Sequence, residues 1–220
     1  MRKCVAELTG TFILVFCGTG AMVIDQQTAS GVSHVGVAIT WGLVVMSLIY
    51  SIGNISGCHI NPAVSIAFTI AGRFKARLLP GYIISQLTGA LLASFTLKLL
   101  FPASPLLGAT MPAGPEMQSF IIELLLTFFL MLVIINVSHG SKEQGQFAGI
   151  AIGGVIGLEA MFAGPICGAS MNPARSLAPA IVSGHLAHVW LYVVAPVLGA
   201  ALAIPVWKYL ATESKTTGSR

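Results

Sequence analysis

The sequence predicts an all-α membrane protein with six transmembrane helices and two re-entrant half-helices, arranged as two inverted halves. Three observations carry this prediction. The 220-residue chain is 55% hydrophobic and only 8% charged, whereas a soluble domain carries roughly a quarter charged residues. Six apolar segments are each long enough to cross about 30 Å of hydrocarbon at about 1.5 Å per residue. Two shorter segments each open on the same tripeptide, Asn61-Pro62-Ala63 and Asn172-Pro173-Ala174.

Taken in order, the spans fall at roughly residues 4–24, 35–55, 80–101, 118–138, 147–165 and 188–210. Between the second and third lies the first short segment, about 61–71, and between the fifth and sixth lies the second, about 172–182. Asn followed by Pro is a helix-start signal, because Asn caps and Pro tolerates the first helical position. Neither short segment can span the bilayer. Each must enter and return, or stop at mid-membrane, where irregular backbone survives only inside protein or beside a wet cavity. A helix start carries free N–H groups and a partial positive charge. Two such starts facing each other form a polar, positive focus in an apolar protein, suited to a small polar solute and repellent to cations.

Charge sets the orientation. Arg2, Lys3, Arg73, Lys75, Arg77, Lys142, Lys208, Lys215 and Arg220 fall on one side of a six-span arrangement. The other two basic residues are Lys98, near the outer end of the third span, and Arg175. The positive-inside rule then puts both termini in the cytoplasm and Asp25, His34, Glu116, His185 and His188 at the outer face. The expected location is the cell (inner or plasma) membrane, with a cytoplasmic tail at 211–220. The net charge of +4 follows this topology and is no nucleic-acid footprint, since the charges do not cluster with aromatics. Cys4, Cys17, Cys58 and Cys167 have no paired spacing, so neither a disulfide framework nor a metal site is expected. The first apolar run carries Glu7 and lacks a cleavage site, so it reads as a span and not as a signal peptide.

The chain repeats itself within a single domain, in halves of about 4–101 and 118–210. Glu7 and Thr11 match Glu123 and Thr127; Gly53, Gly57 and Asn61 match Gly164, Gly168 and Asn172; Tyr82 and Gly89 match Tyr192 and Gly199. Each half holds three spans. An odd number forces the second half to enter from the opposite face, which gives an inverted repeat about an axis in the membrane plane. The half-helices therefore arrive from opposite sides and meet near the midplane.

Paired Asn-Pro-Ala boxes, the second followed by Arg175, on six spans in inverted halves, resemble the aquaporins, or major intrinsic proteins, over residues 4–210. Residues 163–177 are similar to the branch containing plant nodulin-like intrinsic proteins and their bacterial relatives. The resemblance implies the aquaporin fold, a homotetramer in the bilayer, no cofactor, and a passive channel for water and small uncharged solutes. Counting from the boxes, it implies a selectivity filter of Trp41, Ala160, Ala169 and Arg175. Water-selective members share a His where this chain has Ala160, so two alanines leave a wider opening, with Trp41 as an apolar wall. That suits glycerol, urea or a neutral metalloid hydroxide such as arsenous acid. Ser176 and Ala180 instead match the water-channel pattern, and a strictly water-selective channel stands as the alternative.

The residues have their own readings. An arginine in an apolar stretch is expensive and normally faces a water-filled path, though a structural ion pair would also hold Arg175. Trp41 by composition alone reads as an interfacial tryptophan. Asn61 and Asn172 cap, and can also offer a side-chain N–H to a passing oxygen. By resemblance, Glu7 and Glu123 accept backbone N–H groups of the re-entrant loops, His59 stands in the inner half of the pore, and carbonyls near residues 57–59 and 168–170 form an acceptor ladder. Glu159 has no acidic mate at Leu48; it could touch the filter backbone or pair within the bundle. His139 lies at the inner mouth, and Cys58 and Cys167 flank the loops. Gly53, Gly57, Gly164 and Gly168 are read as letting the re-entrant chain pass between spans, and Gly149, Gly153, Gly154 and Gly157 as close helix contacts. An ion-coupled transporter shares broken helices but needs coupling-ion ligands, and only Glu159 is unassigned. No enzyme motif is present.

Overall fold

The structure, a computed structural model, describes residues 1–139 and 145–217. Lys142 and Arg220, counted above on the inner side, lie outside the described residues, as do the side chains of His139 and Lys215. The first half comprises α1 (Arg2–Gln27), α2 (Ser33–Ser56), the half-helix α3 (Pro62–Ile70), a 3-10 turn (Ala76–Leu78) and α4 (Leu79–Leu100). The second comprises α5 (Glu116–His139), α6 (Ala148–Cys167), the half-helix α7 (Pro173–Ser183) and α8 (Val189–Thr217). Among the described residues, six helices are long and apolar enough to cross a membrane, and no residue is in a strand.

The half-helices begin as the sequence predicts. Asn61 and Asn172 are extended, their side chains accept from the N–H groups of Ala63 and Ala174, and Pro62 and Pro173 take the first helical positions. Gly57 and Gly168, at φ 91° and 85°, end α2 and α6 in the left-handed conformation that glycine adopts without a Cβ clash. Gly53 and Gly154 face open space, so neither is required for a close approach. Helix α6 runs two residues past its expected end, through Pro165. Pro165 has no N–H to give Met161, four residues back. The His34 ring fills that vacancy: its Nε2–H donates to the Met161 carbonyl at 2.8 Å.

Packing repeats across the halves. α1 lies against α2 and α4 as α5 lies against α6 and α8, and α2 packs on α6 across the two-fold. Each half-helix also packs on the last span of the opposite half, α3 on α8 and α7 on α4. A Cβ on Gly89 would strike the Leu8 carbonyl, and one on Gly199 the Leu124 carbonyl, so the matched glycines set the matched crossings α1–α4 and α5–α8. Gly42 and Gly153 do the same where α2 crosses α6. Outward, Ile13, Leu43, Ile84, Leu92, Phe95, Leu125, Phe129, Leu158, Leu198 and Leu202 are exposed, the belt a lipid-facing surface needs.

Candidate functional site

The two loops that lead into the half-helices are the polar interior of the protein. Residues on alternate positions, Cys58 and Ile60 in one loop and Ala169 and Met171 in the other, have φ between 42° and 53°. Such values are costly for residues with a Cβ, most of all for β-branched Ile60, and persist only where the surroundings impose them. Two buried carboxylates impose them here. Glu7 accepts from the N–H groups of His59 (2.9 Å) and Ile60 (2.6 Å), from Ser56 Oγ (2.7 Å) and from Gln86 Nε2 (2.8 Å). Glu123 accepts from the N–H groups of Ser170 (2.7 Å) and Met171 (2.8 Å). Tyr82 and Tyr192 donate to the carbonyls of Ser56 and Cys167, each at 2.7 Å. Sequence symmetry thus reappears as hydrogen-bond symmetry.

The tips of the half-helices meet. Asn61 Nδ2 donates to the Met171 carbonyl at 2.7 Å, and Asn172 Nδ2 donates to the Ile60 carbonyl at 2.9 Å. Each amide carries two N–H donors, so each retains one after this crossed pair is made. Pro62, Ala63, Pro173 and Ala174 are buried behind the tips and do not line the cavity described next.

A cavity of about 110 Å³ runs past these tips through the bundle. It is bordered by loop residues 57–61 and 169–172 and by the apolar side chains of Leu14, Val45, Ile49, Leu130, Ile134, Ile152 and Ile156. Trp41, Ala160, Ala169 and Arg175 all border it, so the structure brings the four filter candidates together. Trp41 is 8% exposed, which removes the interfacial reading. Its ring lies 4.6 Å from Arg175 Cζ, a cation–π contact. Arg175 is 2% exposed and forms no ion pair among the described residues. Its Nη1 donates to the Gly108 carbonyl at 2.8 Å, and its Nη2 lies 3.1 Å from Met22 Sδ.

His59 borders the cavity and is also packed. Its Nδ1 lies 3.0 Å from Ser65 Oγ, and its ring stacks on Phe68 and meets Phe74 and Tyr82 edge-on. Cys58 reaches the cavity, whereas Cys167 is sealed behind it. Glu159 is 3% exposed, and among the described residues neither carboxyl oxygen has a hydrogen-bond partner, so it neither hydrogen-bonds the filter backbone nor pairs within the bundle.

Sequence reasoning missed the α4–α5 connection. Leu107, Ala109 and Thr110 are buried, Gly108 supplies the carbonyl that anchors Arg175, and Thr110 Oγ1 donates to Ser176 Oγ at 2.8 Å. A signal was available: residues 101–115 hold four prolines and two glycines in a connection too long to be a simple turn.

Comparison with known proteins agrees with this geometry. Residues 1–207 match the family model for the major intrinsic protein. Aquaporin NIP1-1 of Zea mays is 47% identical over 210 residues, covering 95% of this chain and 74% of that protein. Nodulin-26 of Glycine max is 45% identical over 210 residues, covering 95% and 77%. The aquaglyceroporin of Plasmodium falciparum superposes with a TM-score of 0.81 at 28% identity, covering 94% of each chain. These plant relatives bear out the nodulin-like part of the resemblance and lend nothing to its bacterial part.

Proposed function

Because the chain belongs to the major intrinsic protein family and is an aquaporin-like membrane channel, not an enzyme, we propose that it passes water and small uncharged solutes down their gradients while excluding protons and ions. The observation that carries this is the single cavity bordered by Asn61, Asn172, Trp41, Ala160, Ala169 and Arg175, with both polar groups and apolar side chains in its lining. A solute with hydroxyls on one edge and carbon on the other fits such a channel. Glycerol, urea and arsenous acid are the proposed solutes, and the likeness to an aquaglyceroporin supports the first of them.

In this proposal Arg175 donates to solute oxygen and repels cations at the outer constriction. Trp41 is the apolar wall. Ala160 and Ala169 leave the width. At the centre the free N–H of each Asn amide takes the solute oxygen, and the two positive helix ends oppose hydronium. Glu7 and Glu123 keep the loops in shape, and His59 borders the inner half. The protein sits as a homotetramer in the plasma membrane with both termini in the cytoplasm.

Reconstitution tests this. Proteoliposomes are mixed rapidly with sorbitol, glycerol, urea or arsenous acid, and light scattering follows their volume while an internal dye follows pH. The expected result is water and glycerol flux well above protein-free vesicles, linear in gradient and without pH change. Water flux alone leaves the water-selective alternative. Flux that requires a proton or sodium gradient ends the channel reading.

A further inference from the structure

We propose that Met22 is a fifth residue of the filter, whose thioether sets the position of the Arg175 guanidinium and so how the constriction divides solutes; this rests on the filter reading above. Met22 lies on α1, half-buried, 153 positions away from Arg175 in sequence. Its sulfur is 3.1 Å from Arg175 Nη2. Gly108 O holds Nη1 at 2.8 Å, and the Trp41 ring holds the face of the guanidinium. Buried arginine normally meets strong oxygen acceptors, because a buried charge without them is costly. A thioether is only a weak acceptor. It marks the place of Nη2 without engaging it strongly, which leaves that nitrogen able to serve a passing hydroxyl.

Two further observations concern the setting of Met22. With Gly108, Asp25 and His34 it lines a second cavity of about 280 Å³, beside the anchor of Arg175. In the repeat that matches Glu7 to Glu123, and Leu14 to Leu130, Met22 matches Ser138. Ser138 borders the main cavity together with Leu14 and Leu130. The same register therefore borders a cavity in both halves, the main one at Ser138 and the second one at Met22.

Met22→Leu tests the assignment, since Leu keeps nearly the same volume and removes the sulfur acceptor. Without the sulfur, Nη2 swings toward the open side of the constriction. In proteoliposomes of the full chain the expected result is a glycerol-to-water permeability ratio lowered about threefold or more, with water flux within about twofold of wild type. A ratio unchanged within about 1.5-fold overturns the proposal. Should Met22→Leu lose both fluxes, oxidation of the wild type decides. Hydrogen peroxide transfers one oxygen to the thioether and is reduced to water, leaving a sulfoxide whose oxygen is a stronger acceptor for Nη2. A change in the ratio after peroxide, mapped by mass spectrometry to oxidised Met22, supports the proposal. An unchanged ratio with Met22 oxidised, or no oxidation of Met22, overturns it. Wild-type vesicles that pass no glycerol sink the solute reading itself, a failure seen before any variant is compared.

Discussion

A methyl group on Gly18 would overlap three carbons of the Trp41 ring. Trp41 can stand against Arg175 because α1 offers no side chain opposite it; the matching residue in α5 is Ile134. Gly18→Ala should therefore push the indole into the constriction and lower glycerol flux about tenfold while water falls less, measured by vesicle swelling. The position of Trp41 was legible by counting from Asn61, but its room was not, because nothing in the local sequence ties residue 18 to residue 41. Ala160→His adds bulk and a donor from the other side. It is expected to suppress glycerol and arsenous acid and to spare water; equal loss of all three would mean collapse of the fold. Glu159 illustrates the reverse difficulty. An acid beside a filter position invites a functional role, yet both its oxygens lack hydrogen-bond partners among the described residues. Burying such a polar group unpaired costs about 1–3 kcal/mol, and more as an anion. Glu159→Leu should accordingly raise the melting temperature in detergent without changing the order of permeabilities.

At the scale of elements, each re-entrant loop is held by one carboxylate, and the two halves are unequal. Glu7 collects four hydrogen bonds, two of them from the Ser56 and Gln86 side chains, whereas Glu123 collects two from backbone and has the weakly donating Cys167 thiol where Glu7 has Ser56. A glutamine in place of either turns one acceptor into a donor that faces donors. Hydrogen bonds to charged groups contribute about 1.5–3 kcal/mol each. Glu7→Gln is expected to lower the melting temperature more than Glu123→Gln, and thermal unfolding in detergent compares them directly. Equal losses would mean that the Ser56 and Gln86 bonds add nothing. The existence of both supports could be read from the repeat of Glu7 and Thr11 at Glu123 and Thr127. The inequality could not, because Gln86 reaches Glu7 from α4, a contact made only in three dimensions. The same limit hid Pro165. A proline two residues before the end of α6 reads as a stop, but the helix continues because His34 takes the Met161 carbonyl that the proline leaves free.

At the scale of the molecule, the inverted repeat decides the chemistry, since neither half alone makes a channel. Each tip is completed by the other: the Asn61 amide needs the Met171 carbonyl, and the Asn172 amide needs the Ile60 carbonyl. The order and number of spans, the capped half-helices and their meeting were all legible, because hydropathy, Asn-Pro boxes and an odd number of spans per half follow from local rules. The α4–α5 connection was not, because it brings one carbonyl, that of Gly108 between the halves, to a guanidinium in the second half. The meeting of two positive helix ends is also the proposed barrier to protons and cations, and one substitution separates the barrier from the fold. Asp caps a helix as well as Asn does, so Asn61→Asp keeps the cap on Ala63. It removes the donor to Met171 and sets a carboxylate between the two helix ends. Water flux should fall about fivefold or more, and the internal pH dye should now report proton entry under an imposed gradient. A folded Asn61→Asp protein that stays proton-tight would show that the barrier resides at Arg175 and not where the two halves touch.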